Sequence, residues 1–150
     1  MELFRITRAE YQNDLSGIGA YRFGGRWNSA GNSMLYASSR RSLAMLEILV
    51  HWQRPTPPPD YVVVVLFVPD PLASTHIPYV THEWHVEQQW SKDAGDAWLN
   101  EKKTLLMRVP SVIVPSEWNY LINSSHPDAE SVKVIHIEPF QFDNRLFSSK

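Results

Sequence analysis

The chain has 150 residues, 14 Lys+Arg against 16 Asp+Glu for a formal charge of −2, and 43% hydrophobic content. That length fits one domain burying about 70% of its unfolded surface, so a core forms without staples. The absence of cysteine excludes disulfides, thiolate metal sites and a cysteine nucleophile, and no basic run supplies the footprint of a direct DNA or RNA binder.

LFRI near the start and SMLYA at 33–37 read as short strands, with a glycine-rich loop and RFGGRWN (22–28) between them. The opening MELFRITRAE carries charges at positions 2, 5, 8 and 10 and lacks the apolar core of a secretory signal. SSRRSLAMLEILVHW predicts a helix capped by Ser38 or Ser39 and ended before Pro55. RPTPPP (54–59) is a stiff connector too short to divide domains. YVVVVLFV (61–68) predicts a strand buried on both faces, and at that length it falls far short of the roughly 20 residues that span a bilayer. A soluble, cytoplasmic protein with no membrane partner is expected.

Residues 70–92 are mixed and read as loop with a turn or two of helix. GDAWLNEK predicts a short helix from Gly95, and TLLMRV, SVIV, NYLI and VKVIHI predict strands separated by Pro110, Pro115 and NSSHPD. Few helices, many short strands and no strand–helix alternation give an α+β class built on mainly antiparallel sheet.

RFGGRWN concentrates candidate chemistry. Gly24 and Gly25 permit a tight turn or a close backbone approach, Arg26 offers a fork of donors for phosphate or carboxylate, and Phe23 and Trp27 offer flat apolar faces. A nucleotide is one object for such a set; a glycine-kinked strand with core aromatics and solvated arginines is the other. Glu47 shares a predicted helix face with Leu43, Leu46 and Val50, so it either reaches solvent at an edge or enters a cleft, where it meets Arg26 or a ligand. Tyr36, ending a strand, stacks on a planar ligand or is an ordinary half-buried tyrosine. Ser111, ahead of an apolar VIV, is a site residue or a satisfied strand-end serine. HEWH (82–85) has the wrong spacing for a zinc helix, and no G-x-G-x-x-G, P-loop or G-x-S-x-G signature occurs.

GIGAYRFGGRWNSAGNSMLYASSRRSLAMLEILVHW, then GDAWL, LLMRVPSVIVPSEWNYLIN and HPD, resemble the RES-domain family, named for Arg, Glu and Ser positions and typically toxins of bacterial toxin–antitoxin pairs. The resemblance runs over nearly the full chain, so residues 1–150 are taken as one RES domain. It implies an ADP-ribosyltransferase-like fold, a pair of packed antiparallel sheets with few short helices and a cleft between. It also implies NAD+ as substrate, with no cofactor and no metal.

By matching motif the catalytic set is Glu47, Arg26, Tyr36 and Ser111, and the NAD+-binding set is Arg26, Gly25, Tyr36 and Ser111. Arg26 would pair with pyrophosphate and Tyr36 stack on a ring. Ser111 would bond the amide or ribose, and Glu47 would offset the cationic sugar formed as nicotinamide leaves. Ser116 in VPSEW is close enough to exchange roles with Ser111, and Asn123-Ser124-Ser125 stands where similar proteins commonly have proline after the asparagine. Hydrolysis, phosphorolysis and transfer of ADP-ribose to a protein share this pocket; a non-catalytic nucleotide- or partner-binding module and a structural domain with an internal Arg–Glu pair stand beside them. The implied partner is a separate Xre/HTH-type antitoxin that carries any DNA contact, with a homodimer inside the complex left open.

Overall fold

The computed structural model describes residues 1–69, 74–76 and 84–147. These hold seven strands: β1 (Glu2–Arg8), β2 (Leu35–Ser38), β3 (Tyr61–Phe67), β4 (Ser74–His76), β5 (Leu106–Pro110), β6 (Trp118–Ile122) and β7 (Lys133–Phe140). The helices are α1 (Ile18–Phe23), α2 (Arg41–Leu49) and α3 (Gln88–Glu101). The strands run in the order β4-β5-β6-β2-β1-β3-β7, and every pairing is antiparallel except β4 with β5. The class is α+β, as the elements predict.

The ladder is narrow at one point. β1 meets β2 through a single register pair, Phe4 with Ser38, whereas β1 and β3 are in register over their whole lengths. That seam divides the sheet into halves that close on one another: Leu3, Val64 and Leu66 from one half share a buried cluster with Leu35, Leu106 and Ile122 from the other. The outer faces are covered separately. Trp27, Trp84, Trp98 and Leu99 pack with Met107, Val109 and Leu121 on the β5–β6 side, and Ala44 of α2 packs with Phe4, Ile6, Val63, Val65 and Phe142 on the β1–β3 side.

This two-sided packing explains YVVVVLFV. Val62, Val64 and Leu66 enter the core between the halves, while Val63 and Val65 face α2, so the strand has no solvent face on which to alternate. Each such side chain contributes about 1.5–3 kcal/mol by leaving water.

Four local expectations give way to tertiary context. SVIV is not a strand: β5 ends at Pro110, and the Ser111 hydroxyl accepts the backbone N–H groups of Ile113 and Val114 (3.1 Å each), which turns the chain toward β6. The GDAWLNEK helix begins seven residues earlier, at Gln88; its buried stripe is Ser91, Gly95, Trp98 and Leu99, and a serine and a glycine hide half of the apolar period. IGAYRF is a helix rather than loop, entered through Gly17 and burying none of its own residues. Neither Ser38 nor Ser39 caps α2, whose N-cap is Arg40; Ser38 is buried and bonds Asn119 instead. The expectation for 70–92 falls largely outside the described residues, as do His82 and Glu83 of HEWH. Among the described residues no helix is long and apolar enough to cross a membrane.

Candidate active site

RFGGRWN is a helix end followed by a tight turn. Gly24 caps α1 through its N–H to the Ala20 carbonyl, and Gly25 then closes a turn with Asn28, N–H to carbonyl at 3.0 Å, leaving Arg26 and Trp27 at the corner. Gly25 has a steric reason to be glycine: a Cβ there would stand 2.6 Å from the Tyr36 hydroxyl and 2.9 Å from Asn28 Oδ1. Asn28, fully buried, donates to the carbonyls of Ala20, Ser29 and Asn32 and holds the loop shut.

Helix α3 supports the loop from behind. The Ser91 hydroxyl donates to the Arg26 carbonyl at 2.7 Å, and Asp96 Oδ1 accepts from the Ser29 N–H and the Asn32 side chain. At Gly95 a Cβ would lie 1.7 Å from the Trp27 carbonyl oxygen, so only glycine permits the helix to approach this closely. The Trp27 ring is 3% exposed and packs on Trp84 and Trp90 at 5.7 and 6.1 Å between ring centres. It is core, whereas Phe23 is 85% exposed. The two aromatics of the motif face different environments.

Glu47 lies on α2 and is half-buried; Val50, expected on the same inward face, is 58% exposed. The carboxylate is compensated by neutral donors. Its Oε1 accepts from the Ser111 hydroxyl at 3.0 Å and from Asn119 Nδ2 at 2.6 Å. Asn119 in turn accepts at Oδ1 from the Ser38 hydroxyl at 2.6 Å. Among the described residues no protein donor reaches Oε2. Glu47 lines a cavity of about 130 Å³ at the β1–β2 seam together with Arg5, Tyr36, Ser38, Ile48 and Asn119.

A second cavity of about 340 Å³ shares Arg5 and Tyr36 with the first and extends past Tyr11, Asp14, Gly17 and Arg22. Tyr36 lines both cavities, and its hydroxyl donates to Asn28 Oδ1 (2.7 Å) and accepts from the Trp27 N–H (3.0 Å). Burial pushes this phenol well above its ordinary range, against the bond from Trp27. Arg26 Nη1 donates to the His85 carbonyl at 3.2 Å. Burial lowers the Arg26 pKa from its usual value, and the charge of Glu47 opposes that shift, so the two groups sense one another. Among the described residues no ion pair joins them. Arg5, donating to the carbonyls of Tyr11 and Asp14, is the second guanidinium at the site, also lowered by burial with Asp14 opposing.

Glu47 and Tyr36 therefore line one cleft, with the buried Ser111 bonded to Glu47 from behind, Gly25 against the Tyr36 hydroxyl and Arg26 within electrostatic reach. Ser116 is exposed and forms no part of the network around Glu47. The sequence reading missed Arg5, Ser38, Asn28 and Asn119. A signal existed for Asn119, a polar residue inside the apolar strand WNYLI; Arg5 looked like any charge on an alternating strand.

The chain is similar to known proteins in sequence and, in one case, in fold. The toxin Res of Pseudomonas putida is 38% identical over 98% of this chain and 100% of its own length. The Prs ADP-ribosylating toxin of Sphingobium sp. is 40% identical over 93% of this chain and 91% of that protein. One chain of the M. tuberculosis MbcT–MbcA toxin–antitoxin complex superposes with a TM-score of 0.72 at 17% identity, covering 97% of this chain and 86% of that one, a likeness of fold. The family model described as RES domain matches residues 2–143. The chain belongs to the RES domain family.

Proposed function

We propose that this chain binds NAD+ at the seam between its two half-sheets and breaks the bond between nicotinamide and ribose, acting in the cytoplasm as the toxin of a toxin–antitoxin pair. The observation that carries this reading is the state of Glu47: one carboxylate oxygen is held by Ser111 and Asn119, the other meets no donor among the described residues, and the side chain lines a cleft that also presents Tyr36 and Arg5. Departure of nicotinamide leaves positive charge on the sugar, and a fixed carboxylate beside it lowers that barrier by a few kcal/mol, about 3. Arg26 and Arg5 supply cations for the pyrophosphate, and the Tyr36 ring supplies a stacking face. Ser111, its hydroxyl already engaged with Glu47 and two backbone N–H groups, serves the site through Glu47. NAD+ is consumed as substrate, and these steps call on no further cofactor.

Toxin status is supported by the names of the relatives, and a separate antitoxin by the toxin–antitoxin complex that shares the fold; its Xre/HTH type is what the family resemblance implies. Water or phosphate attacks the sugar in the first reading. Transfer of ADP-ribose to a protein is the second, favoured by the relative named for ADP-ribosylating Prs. The test is to incubate the purified chain with NAD+ in buffers with and without phosphate, and with a cell extract, and to follow nicotinamide and the fate of ADP-ribose. Free nicotinamide with ADP-ribose or its 1″-phosphate supports the first reading, labelled protein the second. No nicotinamide release under any condition sinks both.

A further inference from the structure

Asn119 is the second residue of β6, and across the ladder it is directly opposite Ser38 of β2, the residue that also forms the seam pair with Phe4 of β1. A carboxylate only accepts hydrogen bonds, so the amide facing Glu47 must present its nitrogen. Nδ2 lies 2.6 Å from Glu47 Oε1, which leaves the amide oxygen facing Ser38 and obliges that hydroxyl to donate, at 2.6 Å. Ser38 is 4% exposed, and its hydroxyl finds its acceptor in the Asn119 amide oxygen. Each polar atom in the line has one arrangement that satisfies all of them, and a buried polar group that loses its partner is costly.

We propose that Asn119 is the positioning residue of this site: its amide, aligned by Ser38 across the β2–β6 pair, clamps one oxygen of Glu47 and so turns the other toward the substrate. The role rests on the reaction proposed above, and it is distinct from that of a substrate contact. Ser111 and Asn119 approach the same oxygen from two different elements, the turn after β5 and the strand β6, while α2 fixes the other end of the side chain. The carboxylate is oriented before any ligand arrives, the condition under which its charge acts without reorganisation. The seam thus has a second use. Ser38, whose strand pairs with β1 across the seam, also aligns through Asn119 the amide that aims the acid.

The isosteric change Asn119→Asp separates positioning from filling space, because it keeps the shape but sets an acceptor against an acceptor. In the full-length chain, nicotinamide release by Asn119→Asp should fall in kcat by about ten- to a hundredfold, as a charge-assisted hydrogen bond is lost, and at least as far as in Asn119→Ala, with KM changed much less. Ser38→Ala should lose part of the rate, and Ser38→Thr, which restores the hydroxyl, should recover most of it. An Asn119→Asp protein with wild-type kcat overturns the proposal. The side-chain amide resonances of Asn119 give a reading that needs no turnover: Glu47→Gln and Ser38→Ala should each move them in the unliganded protein. Resonances unmoved by both changes overturn the proposal even if the wild type proves inactive on NAD+, an outcome that would itself sink only the proposed reaction.

Discussion

The Ser111 hydroxyl and Glu47 Oε1, 64 residues apart in the chain, are 3.0 Å apart in the fold. The serine is fully buried and its oxygen also accepts from the Ile113 and Val114 N–H groups, so it has no capacity left for a ligand. Glu47→Gln keeps an oxygen for Ser111 and removes only the charge. It should therefore fold normally yet lose about a hundredfold or more in nicotinamide release. Ser111→Ala should lower both kcat and stability, the latter by about 1–3 kcal/mol, since two backbone donors lose their acceptor. Steady-state kinetics beside urea unfolding distinguishes the two.

Arg26 is expected to act on binding. Its guanidinium is partly exposed at the corner of the Gly25–Asn28 turn and senses Glu47 without pairing to it. Arg26→Lys retains the charge but loses the planar fork, and should raise KM for NAD+ about tenfold with a smaller change in kcat. Isothermal titration of ADP-ribose into the wild type and the variant checks the same loss without catalysis.

Gly25 and Gly19 make a matched pair. A methyl at Gly25 collides with the Tyr36 hydroxyl and Asn28 Oδ1, while one at Gly19 in α1 meets nothing within 4 Å. Gly25→Ala should cost about 1–3 kcal/mol and disorganise the cleft wall, whereas Gly19→Ala should be neutral or stabilise by about 0.5–1 kcal/mol. Denaturant midpoints of the two variants should move in opposite directions or differ by the larger figure.

Tyr36 makes stability depend on alkaline pH. Burial raises the folded-state pKa of its hydroxyl above that of the unfolded chain, so the native state holds this proton more tightly. That contribution is fully present below about pH 10, where both states are protonated, and is lost above it as the unfolded chain releases its proton. Tyr36→Phe should be less stable at neutral pH by about 1–3 kcal/mol, because the Trp27 N–H loses its acceptor, yet show a shallower decline between pH 10 and 11. Unfolding free energies measured across that range give the sign.

Much of this was legible in the chain. The apolar run of β3, the strand of β2 and the helix carrying Glu47 follow from residue types and spacing, and the motif resemblance singles out Arg26, Tyr36, Glu47 and Ser111 as candidates. Asn119 and Arg5 were not legible, because a strand position does not say which side chain stands across the ladder. The SVIV segment misled for the same reason as Ser38. In both places a serine chose a bond that competes with the local pattern, the backbone of 113–114 in one case and Asn119 in the other.

The sequence by itself determined the class of elements and the residue types available for chemistry, since periodicity and side-chain character are properties of neighbours along the chain. Only the tertiary structure decided what each polar group bonds to. Glu47 meets a hydroxyl and an amide rather than a guanidinium, because β6 and the turn after β5 bring Asn119 and Ser111 to the seam. Such partners are set by the register of strands distant in sequence, and no local pattern encodes that register.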